Sequence, residues 1–277
     1  MQNYSLIESC LFLPAFINKK KVNKHFTGKS VLITGASSGI GEQVAYLLAE
    51  CDCHLILVAR RGDRLSQIKE EVAAKAAKVS VFQADLRNVS EIDTFLAFLH
   101  KLPGGIDIVI NNAGHSIRRS IFESLDRPHD FSRTMAINYF APVRILLSII
   151  PLLRERQGQI INISTINALL APVPYFAAYQ SSKSAFDVWL RAVSPELISK
   201  GIATTSIYLP LVRTAMIQPT AAYKNMPAMS TEHAAKIICK SIYKRKKKYQ
   251  PWWIVFGQIA SIFSRNFADF SKKGEKK

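Results

Sequence analysis

Between residues 30 and 210 the chain alternates short apolar, β-branched runs with longer stretches whose apolar positions recur every three or four residues. SVLITGAS (30–37) reads as a strand and turn, and EQVAYLLAE (42–50) follows with Val44, Leu47 and Leu48 at helical spacing. HLILVAR (54–60) precedes a charged helix over 62–77, VSVFQADL (79–86) a helix over 90–101, and IDIVINNAG (106–114) a helix over 129–156. QIINIS (159–164) and ATTSIYLP (203–210) are two further strands, separated by a helix that carries AYQSSKSAFDVWLRAVSPEL. Strands that are apolar on both faces, with helices between them, predict a parallel sheet covered on both sides and joined by right-handed crossovers. The fold class expected is α/β: a Rossmann-type doubly wound parallel sheet, one domain over 28–235, with extensions at 1–27 and 236–277.

Composition agrees with one large core, since 277 residues at 48% hydrophobic content can bury one. The net charge of +17 changes the picture only once it is divided along the chain. Residues 1–29 carry 5 Lys and 1 acid, and residues 236–277 carry 12 Lys or Arg and 2 acids. The middle is close to neutral, so nucleic acid is not an expected partner of the domain. Cys10, Cys51, Cys53 and Cys239 form no CxxC pair, so they read as reduced packing residues and no metal site is expected. The apolar N-terminal stretch is interrupted by Glu8 and precedes its lysines, which makes a poor signal peptide. No run reaches the ~18 to 20 apolar residues of a membrane-spanning helix.

The candidate chemistry begins in TGASSGIG (34–41), between a strand and a helix. Its glycines, Gly35, Gly39 and Gly41, with Ser37, Ser38 and Ile40 among them, would let a dinucleotide pyrophosphate approach the helix N-terminus. A ligand-free Gly-rich turn is the alternative. At the end of the second strand Arg60 and Arg61 stand where an acid would accept the ribose hydroxyls of NAD(H), which favours NADP(H) through its 2′-phosphate over solvated surface arginines. Asp85, followed by Leu86 at the end of the third strand, is placed to accept from the adenine amino group or to cap a helix. Tyr179 and Lys183 lie four apart on one helix face, so both can meet one ligand. A nearby ammonium would lower the phenol's pKa from ~10 and fit it for proton transfer.

TGASSGIG, NNAG (111–114), Asn138, IINIS (160–164) and Tyr179-x-x-x-Lys183 together resemble the motif series of the short-chain dehydrogenase/reductases over about 28–235. The resemblance implies Tyr179 as proton donor or acceptor, Lys183 as the residue that lowers its pKa, and Asn138 as anchor of a proton-relay water. It also implies Asn112, Ala113 and Gly114 against the cofactor, and Pro210, Val212 and Thr214 over the nicotinamide. Two features depart from the family pattern. Ser164 and Thr165 stand fifteen and fourteen positions before Tyr179, where the family has its serine thirteen before; Thr165 takes the substrate-orienting place by strand alignment, with Ser164 as rival. Pro210-Leu211 replaces the usual Pro-Gly, which suggests a stiffer loop.

NNAGHSIRRSIFESLDRPHDFSRTMAINYF (111–140) and IYLPLVRTAMIQPT (207–220) are similar to the bacterial fatty acyl-CoA reductases. That resemblance implies NADPH-dependent reduction of a long-chain acyl thioester, with Arg118, Arg119 or Arg213 near the CoA phosphates or simply on the surface. The rival substrate is a 3-oxo lipid or a hydrophobic ketone or alcohol; the remote rival is a non-catalytic, membrane-associated NADP(H)-binding protein. In 240–263 the basic run Lys244 to Lys248 adjoins Trp252, Trp253 and an apolar stretch. Binding to an anionic membrane surface is favoured for it, ahead of packing on the domain and of nucleic acid. The location implied is cytoplasmic, peripheral at the inner face of a membrane, and the family resemblance suggests a homo-oligomer.

Overall fold

The computed structural model describes residues 4–218 and 220–264. The outer ends of both extensions, 1–3 and 265–277, lie outside the described residues. Seven parallel strands form one sheet in the order β3-β2-β1-β4-β5-β6-β7. They are β1 (Ser30–Thr34), β2 (His54–Ala59), β3 (Lys78–Gln83), β4 (Ile108–Asn111), β5 (Gln159–Thr165), β6 (Ala203–Leu209) and β7 (Lys248–Tyr249). The order reverses between β1 and β4, which opens a crevice beyond their carboxyl ends.

The double-sided apolar pattern has its physical cause in the two cores. Val31, Ile33, Leu55, Leu57 and Ile161 pack on one face, under α2 (Lys19–Phe26), α3 (Gly39–Leu48), α4 (Gly62–Ala73) and α9 (Thr231–Tyr243). Leu32, Ile56, Val58, Val109 and Ile160 pack on the other, under α5 (Val89–His100), α7 (Ala141–Glu155) and α8 (Ala177–Ser199). Successive strand residues enter opposite cores because a strand's side chains alternate.

The helix expected over 129–156 consists of α6 (Pro128–Met135), a π-helical turn (Ala136–Phe140) and α7. Contrary to the sequence expectation, this 28-residue unit is long and apolar enough to cross a membrane by length and composition, with an 18-residue stretch of mean hydropathy 1.7. Its residues Ile145, Leu146, Ile149 and Leu153 are buried in the second core.

Both extensions join the domain. The boundary drawn at 235 falls inside α9, and β7 then pairs with β6, so the core continues through α9 and the sheet through β7. On the N-terminal side Phe12, Val22 and Phe26 are core residues, and α1 (Leu6–Leu11) starts from a capping box between Ser5 and Glu8. Cys51, Cys53 and Cys239 are buried as expected of packing residues, whereas Cys10 is exposed.

The turn at 244–247 lies toward the amino ends of the strands. Thr205 near the start of β6 donates to the Lys246 carbonyl at 2.6 Å, and Arg245 donates to Gln157 just before β5. Trp253, by contrast, lines the crevice beyond Leu209. At ~3.3 Å per strand residue the turn at 244–247 sits roughly 15 Å below it.

Candidate active site

A cleft of about 1160 Å³ opens at the carboxyl ends of the strands. Its first wall is the turn between β1 and α3. Gly35 takes φ 67°, and a Cβ there would come within 2.8 Å of the Ala113 Cα; Gly39 takes φ 61°, where a Cβ would meet Thr214 Cγ2 at 2.9 Å. Only glycine fits these two positions. Asn112 donates its amide to the carbonyls of Thr34 (3.0 Å) and Gly35 (3.2 Å), while the Thr34 hydroxyl accepts from the amides of Asn112 and Ala113. This ties the turn to the end of β4. Ser38 at the N-cap makes no side-chain capping bond, so the first N–H groups of α3 are left for a ligand. Gly41 is buried within α3 beside Ile40, which lines the cleft.

Arg60, Arg61, Asp85 and Leu86 line the next part of the cleft. The Arg61 guanidinium donates to the Ser37 carbonyl at 2.8 Å, which fastens the end of β2 to the glycine turn. Arg60 is exposed and makes no side-chain hydrogen bond among the described residues. Asp85 neither caps a helix nor stands alone: Arg87 grips it at 2.6 Å and holds its carboxyl below the ordinary value, and the cap of α5 is Asn88.

The second wall comes from β5 and α8. Tyr179 and Lys183 sit one turn apart on α8 and are half-buried, facing the cleft with protein packed around their other sides. Burial pushes the Tyr179 phenol up to about 12, against a hydrogen bond with Thr165 that pulls it down. Burial likewise lowers Lys183 to about 8. The expected downward pull of Lys183 on the phenol is not among the causes of this shift, and desolvation sets its direction. Lys183 Nζ donates to the Ile163 carbonyl at 3.0 Å. Thr165 is the residue that meets Tyr179; the Ser164 hydroxyl is buried and has no hydrogen-bond partner among the described residues.

Asn138 lies in the π-helical turn. Its side chain accepts from the His115 amide and donates to the His115 carbonyl and the Ser182 hydroxyl, each at 2.9 Å. Pro142, four residues on, has no N–H, so the Asn138 carbonyl lacks its α-helical donor. A Cβ on Gly114 would stand 3.0 Å from Asn138 Oδ1 and 3.4 Å from Lys183 Nζ, so these three groups meet at one point. Pro210, Val212 and Thr214 line the cleft on the far side of Gly39. Leu211, in place of a glycine, accepts from the Met229 amide at 2.8 Å, and Arg213 donates to the Met229 carbonyl, so the loop is closed at its base.

The structure also adds residues. Gln180 on α8 bonds Val173, Asn167 and Ala171, stapling the loop after β5 over the cleft. That loop holds Tyr175 at φ 69°. Arg87, Arg133 and His115 line the cofactor side, and Leu11, Phe12 and Trp253 the mouth. The three arginines expected near CoA are otherwise engaged: Arg118 lies 4.7 Å over the Tyr175 ring, Arg119 pairs with buried Asp130, and Arg213 with buried Glu8. None of them lines the cleft. Among the described residues no group of three His, Cys, Asp or Glu is placed to hold a metal ion.

A sheet with this strand order, a glycine-cradled crevice and a Tyr179-Lys183 helix defines an oxidoreductase of the dinucleotide-binding α/β class. The family model described as "short chain dehydrogenase" matches residues 29–225, and the chain belongs to that family. It is 44% identical over 236 residues to a fatty acyl-CoA reductase of Acinetobacter baylyi, covering 85% of this chain and 79% of that one. It is 39% identical over 226 residues to a fatty acyl-CoA reductase of Mycobacterium tuberculosis, covering 81% and 77%. Among solved structures, a short-chain dehydrogenase from Sphingobium yanoikuyae in complex with NADPH superposes with a TM-score of 0.75 at 23% identity, over 90% of this chain and 98% of that one. The chain is thus a nicotinamide-dependent oxidoreductase of the short-chain dehydrogenase family.

Proposed function

We propose that this oxidoreductase uses NADPH to reduce a long-chain fatty acyl-CoA to a fatty aldehyde. The observation that carries the reading is the 44% identity to the Acinetobacter fatty acyl-CoA reductase over most of both chains. Ile166, Phe176, Leu211, Met216 and Met226 give the cleft an apolar side for a lipid.

The residues present fit the cofactor, because Gly35 and Gly39 leave a cradle that any Cβ would fill. The glycine turn, braced by Arg61, and the α3 N-terminus would hold the pyrophosphate, Arg60 the 2′-phosphate, Asp85 and Leu86 the adenine side, and Asn112 to Gly114 with Pro210, Val212 and Thr214 the nicotinamide side. When bound, NADPH supplies the hydride that goes to the thioester carbonyl carbon. The Thr165 hydroxyl donates to the carbonyl oxygen, and Tyr179, neutral at pH 7, delivers a proton to it. Lys183 donates to a cofactor hydroxyl, and the Asn138 carbonyl holds the relay water. The hemithioacetal passes its hydroxyl proton back to the Tyr179 phenolate left by the first transfer. As the C=O bond re-forms the C–S bond breaks, and the leaving thiolate becomes a thiol by taking a proton supplied through that water.

A second reading is reduction of a 3-oxo lipid or a hydrophobic ketone. It is favoured by the engagement of Arg118, Arg119 and Arg213 away from the cleft. The convergence of Tyr179, Lys183, Asn138 and Thr165 argues against a non-catalytic role. The location we infer is the cytoplasmic face of a membrane. The exposed Trp252, Val255 and Phe256, beside Leu6 and Ile7 of α1, would meet lipid there, without help from the distant turn at 244–247. NADPH consumption with palmitoyl-CoA, with the aldehyde trapped, tests the reaction.

A further inference from the structure

Leu11, Phe12 and Trp253 line the cleft from outside residues 29–225, the span of the family match. They are held there by a set of long-range bonds. The Tyr4 hydroxyl accepts from the Ser230 amide at 2.9 Å and meets His233 Nδ1 at 3.0 Å. Glu8 pairs with Arg213 and accepts from the Ala228 amide at 3.0 Å. The indoles of Trp252 and Trp253 donate to the carbonyls of Cys10 and Leu11, each at 3.2 Å. α1 is thereby tied to both ends of the loop between β6 and α9, and to the start of α10 (Ile254–Ser264). On its other side α10 rests on the loop after β5, where a Cβ on Gly257 would stand 3.1 Å from Leu170 Cδ2. The first and last parts of the described chain therefore bridge the mouth of the cleft between Leu11 and Leu170.

The chemistry of this bridge is hydrocarbon. The Leu11 carbonyl and the Trp253 indole N–H satisfy each other, and Leu11, Phe12 and Trp253 bring apolar side chains to the lining of the cleft. Met216 and Met226 complete the lining, and their unbranched thioethers adapt to a flexible ligand.

We propose that Leu11, Phe12 and Trp253, with Met216 and Met226, form a subsite for the distal part of the substrate's aliphatic chain, and that this subsite sets the chain length the enzyme prefers. The proposal rests on the reading of the substrate as a fatty acyl compound. Each methylene buried there is worth roughly fourfold in binding, so a site of this kind separates long chains from short ones.

The test uses the full chain with NADPH and octanoyl-, dodecanoyl- and hexadecanoyl-CoA, together with calorimetric binding of octanoate and hexadecanoate. Trp253→Ala opens the subsite and is expected to lower the hexadecanoyl to octanoyl ratio of kcat/KM about tenfold, the loss of about two methylene contacts. Leu11→Trp fills it and is expected to move the optimum toward shorter chains. Unchanged ratios in both variants, on a parent that reduces acyl-CoA, would overturn the subsite. If the parent turns over no acyl-CoA, but binds hexadecanoate more tightly than octanoate and loses that difference in Trp253→Ala, the thioester reading falls and the subsite stands. Equal binding of both fatty acids by the parent would overturn the subsite whatever the reaction.

Discussion

Lys183 Nζ donates to the Ile163 carbonyl at 3.0 Å, which fixes the cation at the end of β5 instead of against the Tyr179 phenol. From that position it also lies beside Gly114. Its part is then to stay charged in a buried place, and burial brings its pKa down to about 8. The reduction rate is expected to hold level from pH 6 to 7.5 and to fall as pH rises through about 8, where Lys183 loses its proton. Lys183→Met should lower kcat/KM by about 10²- to 10⁴-fold and remove that descending limb. A pH–rate profile of both proteins checks this.

Thr165 and Ser164 separate by their partners. The Thr165 hydroxyl pulls the Tyr179 phenol's pKa down and accepts from the Asn167 amide at 3.3 Å, and the Ser164 hydroxyl has no partner among the described residues. Thr165→Val should cost about 10²-fold in kcat, the scale of one lost oxyanion donor. Ser164→Ala should change kcat less than about threefold, because no hydrogen bond is lost. The reverse order in steady-state kinetics would reassign the orienting hydroxyl.

Arg60 and Arg61 make different predictions although they are adjacent. Arg61 braces Ser37, whereas Arg60 makes no side-chain bond among the described residues and lines the cleft. Arg60→Ala should weaken NADPH by roughly tenfold or more, one charge-assisted contact, and leave NADH nearly unaffected. Arg61→Ala should weaken both, since it loosens the turn that holds either pyrophosphate. Fluorescence titration with the two cofactors reads the difference.

Glu8 ties the N-terminal helix to the domain. Burial pushes its carboxyl up, but the amides of Ala228 and Ser5 and the Arg213 guanidinium outweigh it and hold the pKa at about 2. A folded-state value below the free value of 4.5 means that this stabilisation is complete above pH 4.5 and is lost as pH falls toward about 2. Glu8→Gln should remove that acid dependence and release α1 to limited proteolysis at neutral pH. Trp252 and Trp253 fluorescence against pH follows the same event.

Much of this architecture was legible because the strands are apolar on both faces and punctuated by glycine. β1 to β6 and the turn at Gly35 needed no tertiary information. Tyr179 and Lys183 were legible through their helical spacing. β7 was not, because Lys248 and Tyr249 belong to a basic run, and they pair only because the Ser206 amide finds the Lys247 carbonyl. Asp85 reads as an adenine acceptor or a helix cap; Arg87, two residues on, grips it, and the cap of α5 is Asn88. Glu8 looked like an interruption in an apolar stretch, yet Ser5-x-x-Glu8 is a capping-box pattern visible in the sequence. Its bonds to Arg213 and Ala228 join residues more than two hundred positions apart, which no local pattern encodes.

The most direct test of the central claim is NADPH consumption by the purified protein with palmitoyl-CoA, trapping the aldehyde, with Tyr179→Phe alongside. The account predicts aldehyde and free thiol in equal amounts from the native chain and at least about 10²-fold less from the variant, which keeps the ring but has no proton to give. NADPH bound without aldehyde or thiol formed would contradict the thioester reaction, and undiminished turnover by Tyr179→Phe would contradict the role given to Tyr179.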